Sequence, residues 1–373
     1  MHYPIAMIRT LSRLLLLSLC LFITNIQASS AQSESGISLN TAGQQGEASM
    51  LDVGLVIFDP GIPADASTHS KLGIFPEIRK SEAKFIPVVL RQVLLDSGAW
   101  GVVRVLPEPL DSSELLITGK ILRSDGLRLA LQIRVQDATG RRWLDKVYLD
   151  ETSEGDYPVK PGGDPYLDLY RQIANDMLAL KRQLSDKQLR DIRQVGSLRY
   201  AASLSPEVFA GYLTRSEGGL HTVVRLPADG DPMMARVERI RNQEYLFIDT
   251  VDEQYATLYE EMVPTYNLWR QFGREQALYR KDYEDRVTSR ESRGRRGTFA
   301  ALEQTYDAYK WSKIHEQDLD ELALGFNNEV APTVMEVSGK VFKLNGTLDS
   351  QYTEWRDILR QIFELETGLT PAG

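Results

Sequence analysis

The chain has 373 residues, 42% of them hydrophobic and 25% charged, with 43 Lys and Arg against 52 Asp and Glu and a net charge of −9. A chain of this length and composition can bury the cores of two or three domains, and its acidity argues against nucleic acid as a partner. With Cys20 as its single cysteine, it has no internal disulfide framework.

At the amino terminus, His2, Arg9 and Arg13 precede an uncharged apolar run from Leu14 to Ile23, interrupted by Ser18 and Cys20, and then the small residues Ala28, Ser29, Ser30 and Ala31. The run is shorter than the roughly 18 apolar residues of a spanning helix and has the pattern of a secretory signal peptide over residues 1–31. Cleavage is expected after Ala31, with Ala28 as the alternative. Lipidation at Cys20 would require a small residue before it, where Leu19 stands, and an end to the apolar run, which Leu21, Phe22 and Ile23 continue. Removing this leader takes away Arg9, Arg13 and Cys20 and no acid, leaving a more acidic, cysteine-free chain. The expected compartment is the periplasm, free or associated with the outer membrane, and no later segment reaches membrane-spanning length.

Residues 32–50 are polar and without period, which reads as a flexible tether, so order is expected to begin near Leu51. Asp52 to Asp59 reads as a short apolar strand ended by Pro60. Ile86, Val89, Leu90, Val93 and Leu94 recur at helical spacing, with Gly98 as terminator. Pro87 fits the first turn of a helix starting near Ile86, or marks a kink if the helix extends back through Ile78 and Ala83. VVRVLP and ELLITGKIL read as strands, with Gly119 marking a bulge or close packing. Leu127, Leu129, Leu131, Ile133 and Val135 alternate with Arg128, Gln132, Arg134 and Gln136, the pattern of a strand with one buried face. Asp137-Ala138-Thr139-Gly140 is a hairpin turn, and RRWLDKVYL returns as the partner strand.

This order over residues 51–157, carried by the apolar-Thr-Gly strand at Ile117 to Gly119 and the turn at Asp137 to Gly140, resembles the small periplasmic α+β domain at the amino terminus of TolB, shared in outline by CsgG and FlgO. The resemblance covers residues 51 to about 150. It implies a fold and a compartment, not an activity. Nothing after residue 160 repeats as TolB's propeller blades do or alternates as CsgG's pore strands do.

Pro158 to Pro165 is a linker. Residues 164–213 read as helices packing on the sheet: one from Tyr166 to Leu184 with the stripe Leu167, Tyr170, Ile173, Met177 and Leu180, a second begun by the capping box Ser185 to Gln188, and a third at Ser205-Pro206. Thr214 to Pro232, rich in Gly and Pro, is a further boundary. Residues 232–330 read as a long helical hairpin. Ile248, Val251, Tyr255, Leu258, Met262, Trp269, Phe272 and Tyr279 form its first arm, which Pro264 is expected to kink or divide; a turn at 286–297 leads to a second arm with Phe299, Leu302, Tyr306 and Tyr309. Residues 331–368 read as a β-hairpin followed by a helix capped by Thr347, striped by Leu348, Tyr352, Trp355, Leu359 and Ile362, and stopped by Gly368. The fold class is α+β: a small amino-terminal domain with an antiparallel meander, then a mainly helical region and a carboxy-terminal hairpin-helix unit.

Arg286, Arg290, Arg293, Arg295 and Arg296, interleaved with glycines, form a loop able to bind an anion or a partner, although Glu284, Asp285 and Glu291 offset part of the charge. Tyr255, Tyr259, Tyr266 and Trp269 offer an aromatic interface, against which stands ordinary core packing at helical spacing. The run His315 to Glu321 lacks the second histidine a helical zinc site needs, and no metal or cofactor site is expected. Ser81 and Lys84 have the spacing of a Ser-x-x-Lys pair without its companion motifs, and no Gly-x-Ser-x-Gly turn or phosphate-binding glycine loop occurs, so no catalytic residue is assigned. The sequence therefore points to a non-catalytic, exported binding or assembly protein that meets envelope proteins or itself, with peripheral membrane contact open to it. The alternatives are a cell-wall glycan hydrolase using Glu and Asp and a structural part of an outer-membrane assembly.

Overall fold

The computed structural model describes residues 36–43, 46, 49–110, 113–291 and 332–368, the last nine of the stretch ending at 291 by their backbone alone. The expected signal peptide, Cys20 and the second arm of the helical hairpin lie outside these residues.

The fold is α+β. Strands β1 (Val53–Val56), β2 (Val103–Leu106), β3 (Leu115–Ser124), β4 (Arg128–Asp137) and β5 (Arg142–Glu151) form one sheet in the order β2-β1-β3-β4-β5. β1 runs parallel to both β2 and β3, and β3, β4 and β5 form the antiparallel meander. Leu129, Leu131, Ile133 and Val135 are buried, as their alternation dictates. The Asp137 carboxylate makes the predicted turn by accepting from the Thr139 amide at 2.9 Å and the Trp143 indole at 2.9 Å. Gly119 marks close packing rather than a bulge: a side chain there would meet the Phe58 ring at 2.6 Å, and the register slips instead between Ile121 and Arg123.

After a single turn, α1 (His69–Leu72), the helix α2 (Pro76–Asp96) takes the longer of the two expected courses. Ile78, Ala83 and Phe85 extend its buried stripe back beyond Ile86, which leaves Pro87 inside the helix. Burial of those added side chains outweighs the one backbone hydrogen bond a proline forfeits. α3 (Leu167–Lys181) lies beside α2 and β5, where Asp176 accepts from Lys146 at 2.7 Å and Tyr148 at 2.8 Å. The chain is held well before Leu51, contrary to the expected free tether: Leu39 and Ala42 pack against the core, and the Ala42 amide donates to the Ser97 carbonyl at 2.9 Å.

α4 (Asp186–Leu204) begins with the predicted capping box, the Ser185 hydroxyl accepting from the Gln188 amide. The third helix expected there is one turn, α5 (Pro206–Phe209), because the chain then enters a small hairpin, β6 (Leu213–Arg215) and β7 (His221–Val223), whose Leu213 and Val223 pack against the core. α6 (Pro232–Glu291) runs for 60 residues with Pro264 inside it, so of the two expected effects, a kink or a division, the division does not occur. Its tertiary partners on both sides of the proline hold it in one piece. β8 (Thr333–Val337) and β9 (Lys340–Leu344) form the last hairpin, followed by α7 (Leu348–Thr367), which Thr347 caps and Gly368 ends at φ 68°.

Two cores result. The first lies between one face of the sheet and α2, α3 and α4, and Tyr266 and Trp269 of α6 complete it. The second joins Val105 and Leu106 at β2 to Tyr200 of α4, to Ile240, Phe247, Ile248 and Val251 of α6, and to Tyr352, Trp355 and Phe363 of α7. α6 thus serves both. It also closes the β2 edge of the sheet: Asp252 accepts from the Val105 amide at 3.4 Å and pairs with Arg91 at 3.0 Å, while Asp249 pairs with Arg104 at 2.6 Å. Further along, α6 meets the β3–β4 turn backbone to backbone. Gly126 sits there at φ +80°, and a Cβ on it would lie 2.0 Å from the Arg270 carbonyl oxygen.

Two outcomes follow from this packing. Gly126→Ala, strained in its backbone and blocked by α6, is expected to lose about 2–4 kcal/mol in urea unfolding. Burial raises the Asp252 carboxyl to about 6 against the pull of Arg91. The folded state therefore binds this proton more tightly than the unfolded one, so the contribution is full below about pH 4 and is lost as pH rises through about 6. Relative to Asp252→Asn, the native protein should lose about 1–3 kcal/mol between pH 4 and 7, measured by denaturation at each pH.

Candidate functional site

Arg286 and Arg290 fall in the last turns of α6; their side chains, and the whole of Arg293, Arg295, Arg296 and the His315 to Glu321 run, lie outside the described residues. The expected aromatic interface is internal. Tyr255, Tyr266 and Trp269 are buried, and the Tyr259 ring lies 4.2 Å from that of Phe85. Tyr255 belongs to the second core, while Tyr266 meets Phe85 of α2 at a ring distance of 4.7 Å and Trp269 meets Phe75, the residue that caps α2, at 6.0 Å. The Ser81 hydroxyl, far from any nucleophilic role, donates to the Glu77 carbonyl of its own helix at 3.1 Å. Among the described residues no group of three or more His, Cys, Asp or Glu side chains converges as a metal site would require.

Beneath the aromatic layer lies a buried polar network that the sequence does not announce. Glu82 of α2 accepts from the Tyr266 hydroxyl at 2.7 Å and from Ser124 at 2.6 Å, and pairs with Arg79 at 3.0 Å. Arg79 donates onward to the Ser124 carbonyl at 3.1 Å. One turn beyond Tyr266, Arg270 pairs with Asp164 at 2.8 Å, with side chains only 2% and 4% exposed, and lies over the Tyr266 ring at 4.4 Å. Burial works against the Arg270 charge, but Asp164 and Tyr266 reverse the balance and raise its pKa. Tyr266 is pushed up by burial and then by Glu82, so both groups keep their protons. The network can lock α6 onto α2, the β3–β4 turn and the 157–166 connection. Each charge in it faces an opposite one, Arg79 with Glu82 and Arg270 with Asp164.

One exposed apolar surface is the far half of the sheet. The β1 and β2 half is covered on that side by Leu106, Leu110 and the second core. Across β3, β4 and β5, the residues pointing away from α2 and α3 stand in register as Ala130 with Leu149, Gln132 with Val147, and Arg134 with Asp145. Val147 is 54% exposed and Leu149 61%. Polar residues are expected on a water-facing sheet surface, and β4 conforms while β5 does not. In the sheet order β5 also has a neighbour on one side only, leaving its outer row of backbone donors and acceptors open among the described residues. The signal was present in RWLDKVYL, which is apolar at both parities: Leu144 and Tyr148 face inward, Val147 and Leu149 outward.

The network predicts an asymmetry under mutation. Asp164→Asn alone, or Arg270→Met alone, strands a buried charge and is expected to cost about 3–5 kcal/mol in chemical denaturation, whereas the double replacement costs clearly less than the two combined. Comparison with protein families, with curated proteins and with solved structures finds no match to this chain.

Proposed function

We propose that this protein is exported to the cell envelope and works there without catalysis, as a binding or assembly factor that presents the open half of its sheet to a protein partner. The observation that carries this reading is the pair Val147 and Leu149, large, apolar and more than half exposed on the edge strand of a sheet whose opposite face carries the first core. Apolar side chains beside open backbone groups are what a partner strand or helix can cover, with main-chain bonds giving affinity and side chains giving selection. The leader-like run from Leu14 to Ile23 and the likeness of residues 51–150 to the TolB amino-terminal domain support the compartment. The partner class that fits is another envelope protein or a second copy of the chain.

A photo-crosslinking residue in place of Leu149, expressed in the native host, is expected to join the protein to one discrete partner. Val147→Asp with Leu149→Asp should leave the circular dichroism and, within about 0.5 kcal/mol, the stability unchanged while weakening that association at least tenfold. An unaltered association in the double variant, or no adduct at all, overturns the proposal.

A further inference from the structure

A second surface lies at the turn end of the β3–β4 hairpin, beside the Leu149 end of the open sheet. Here α1, the start of α2, the β3–β4 turn and the late part of α6 enclose a cleft of about 440 Å³. In a chain of net charge −9, its wall carries the cations Arg79, Arg123, Arg128, Arg280 and Lys281 and the single acid Asp125. Three of these cations have an acid beside them, Glu82 for Arg79, Asp125 for Arg123 and Glu151 for Arg128, so the cleft gathers guanidinium groups already held in position within an acidic chain.

The cations are fixed in place. Arg123 and Arg128 each engage an acid through Nε, Asp125 at 2.6 Å and Glu151 at 2.7 Å, which orients their terminal nitrogens without consuming them. Arg128, Lys281 and Arg123 act jointly on the Glu151 carboxyl and hold it below the usual carboxylate range. The Arg280 guanidinium lies beside the Gly73 turn, 3.5 Å from where a Cβ on that glycine would be. At the floor, Arg79 is 4% exposed; its Nε meets Glu82 and its Nη2 the Ser124 carbonyl, but Nη1 has no acceptor. A buried guanidinium nitrogen without an acceptor is costly unless something supplies one. The rim is apolar as well, with Leu72 55% and Leu122 45% exposed.

We infer that this cleft binds a phosphate group carried on an apolar or uncharged body, as a lipid headgroup or a small phosphate ester would present it. Forked guanidinium groups match the oxygens of phosphate in pairs, several cations suit a dianion better than a single carboxylate, and Leu72 and Leu122 lie where the remainder of the ligand would emerge.

The test uses the purified protein and the variant Arg280→Glu with Lys281→Glu, both positions exposed, with circular dichroism to verify folding. Glycerol phosphate is added in thermal unfolding, and vesicles of phosphatidylglycerol or of phosphatidylcholine are used in co-sedimentation. A rise in midpoint of about 2 °C or more with glycerol phosphate, abolished in the variant, supports a small phosphate ester. Retention by phosphatidylglycerol but not phosphatidylcholine vesicles, at least tenfold weaker in the variant, supports a headgroup. Absence of both effects, or equal binding by the variant, overturns the inference.

Discussion

Everything else in this fold depends on how α6 is fastened to the sheet. Arg79, Glu82, Asp164 and Arg270 are charged and nearly inaccessible to water. In a low-dielectric interior such groups are tolerable only when partners sit at hydrogen-bonding distance. Tyr266 and Ser124 complete the set by donating to Glu82. The fit leaves little freedom: Gly126 and Gly273 allow the turn and the helix to touch backbone to backbone, and a shift along the helix would separate Tyr266 from Glu82 and Arg270 from Asp164 together. A purely apolar joint would hold α6 as firmly with less specificity of register.

That fastening divides the molecule's surfaces. The first half of α6 seals the β2 edge and joins α4 and the hairpin-helix unit in the second core. Closing one edge and one half of the outer face leaves the β4–β5 half as the open sheet surface, so its exposure is a consequence of where α6 lies. An apolar pair on a rigid strand costs little order on binding, which favours recognition by shape over recognition by folding. The cationic cleft arises from the same joint, because Arg79 belongs both to its floor and to the network that holds Glu82.

The arrangement also gathers cations in one place of an acidic chain. Asp and Glu dominate overall, yet the β3–β4 turn and the Arg280 to Lys281 turn of α6 bring cations distant in sequence to one place. The spacing between Arg128 and Arg280 is too long for any pattern of charge along the chain to reveal this. Their proximity exists only after Gly126 and Gly273 have met.

By itself, the sequence determined the local elements, since periodicity and turn chemistry act within a few residues. The alternation in β4, the Asp137 turn, the Ser185 capping box and the Thr347 cap are all decided by neighbours. The identity of α6 as helix was legible too, but not its continuity through Pro264, because packing along both cores outweighs one lost backbone bond. Tertiary structure alone decided that Leu39 and Ala42 lie against the core, that the aromatic stripe is divided between the two cores, and that Val147 and Leu149 face outward uncovered. Those outcomes depend on which face of each element finds a neighbour, and that is fixed by contacts between residues a hundred or more positions apart.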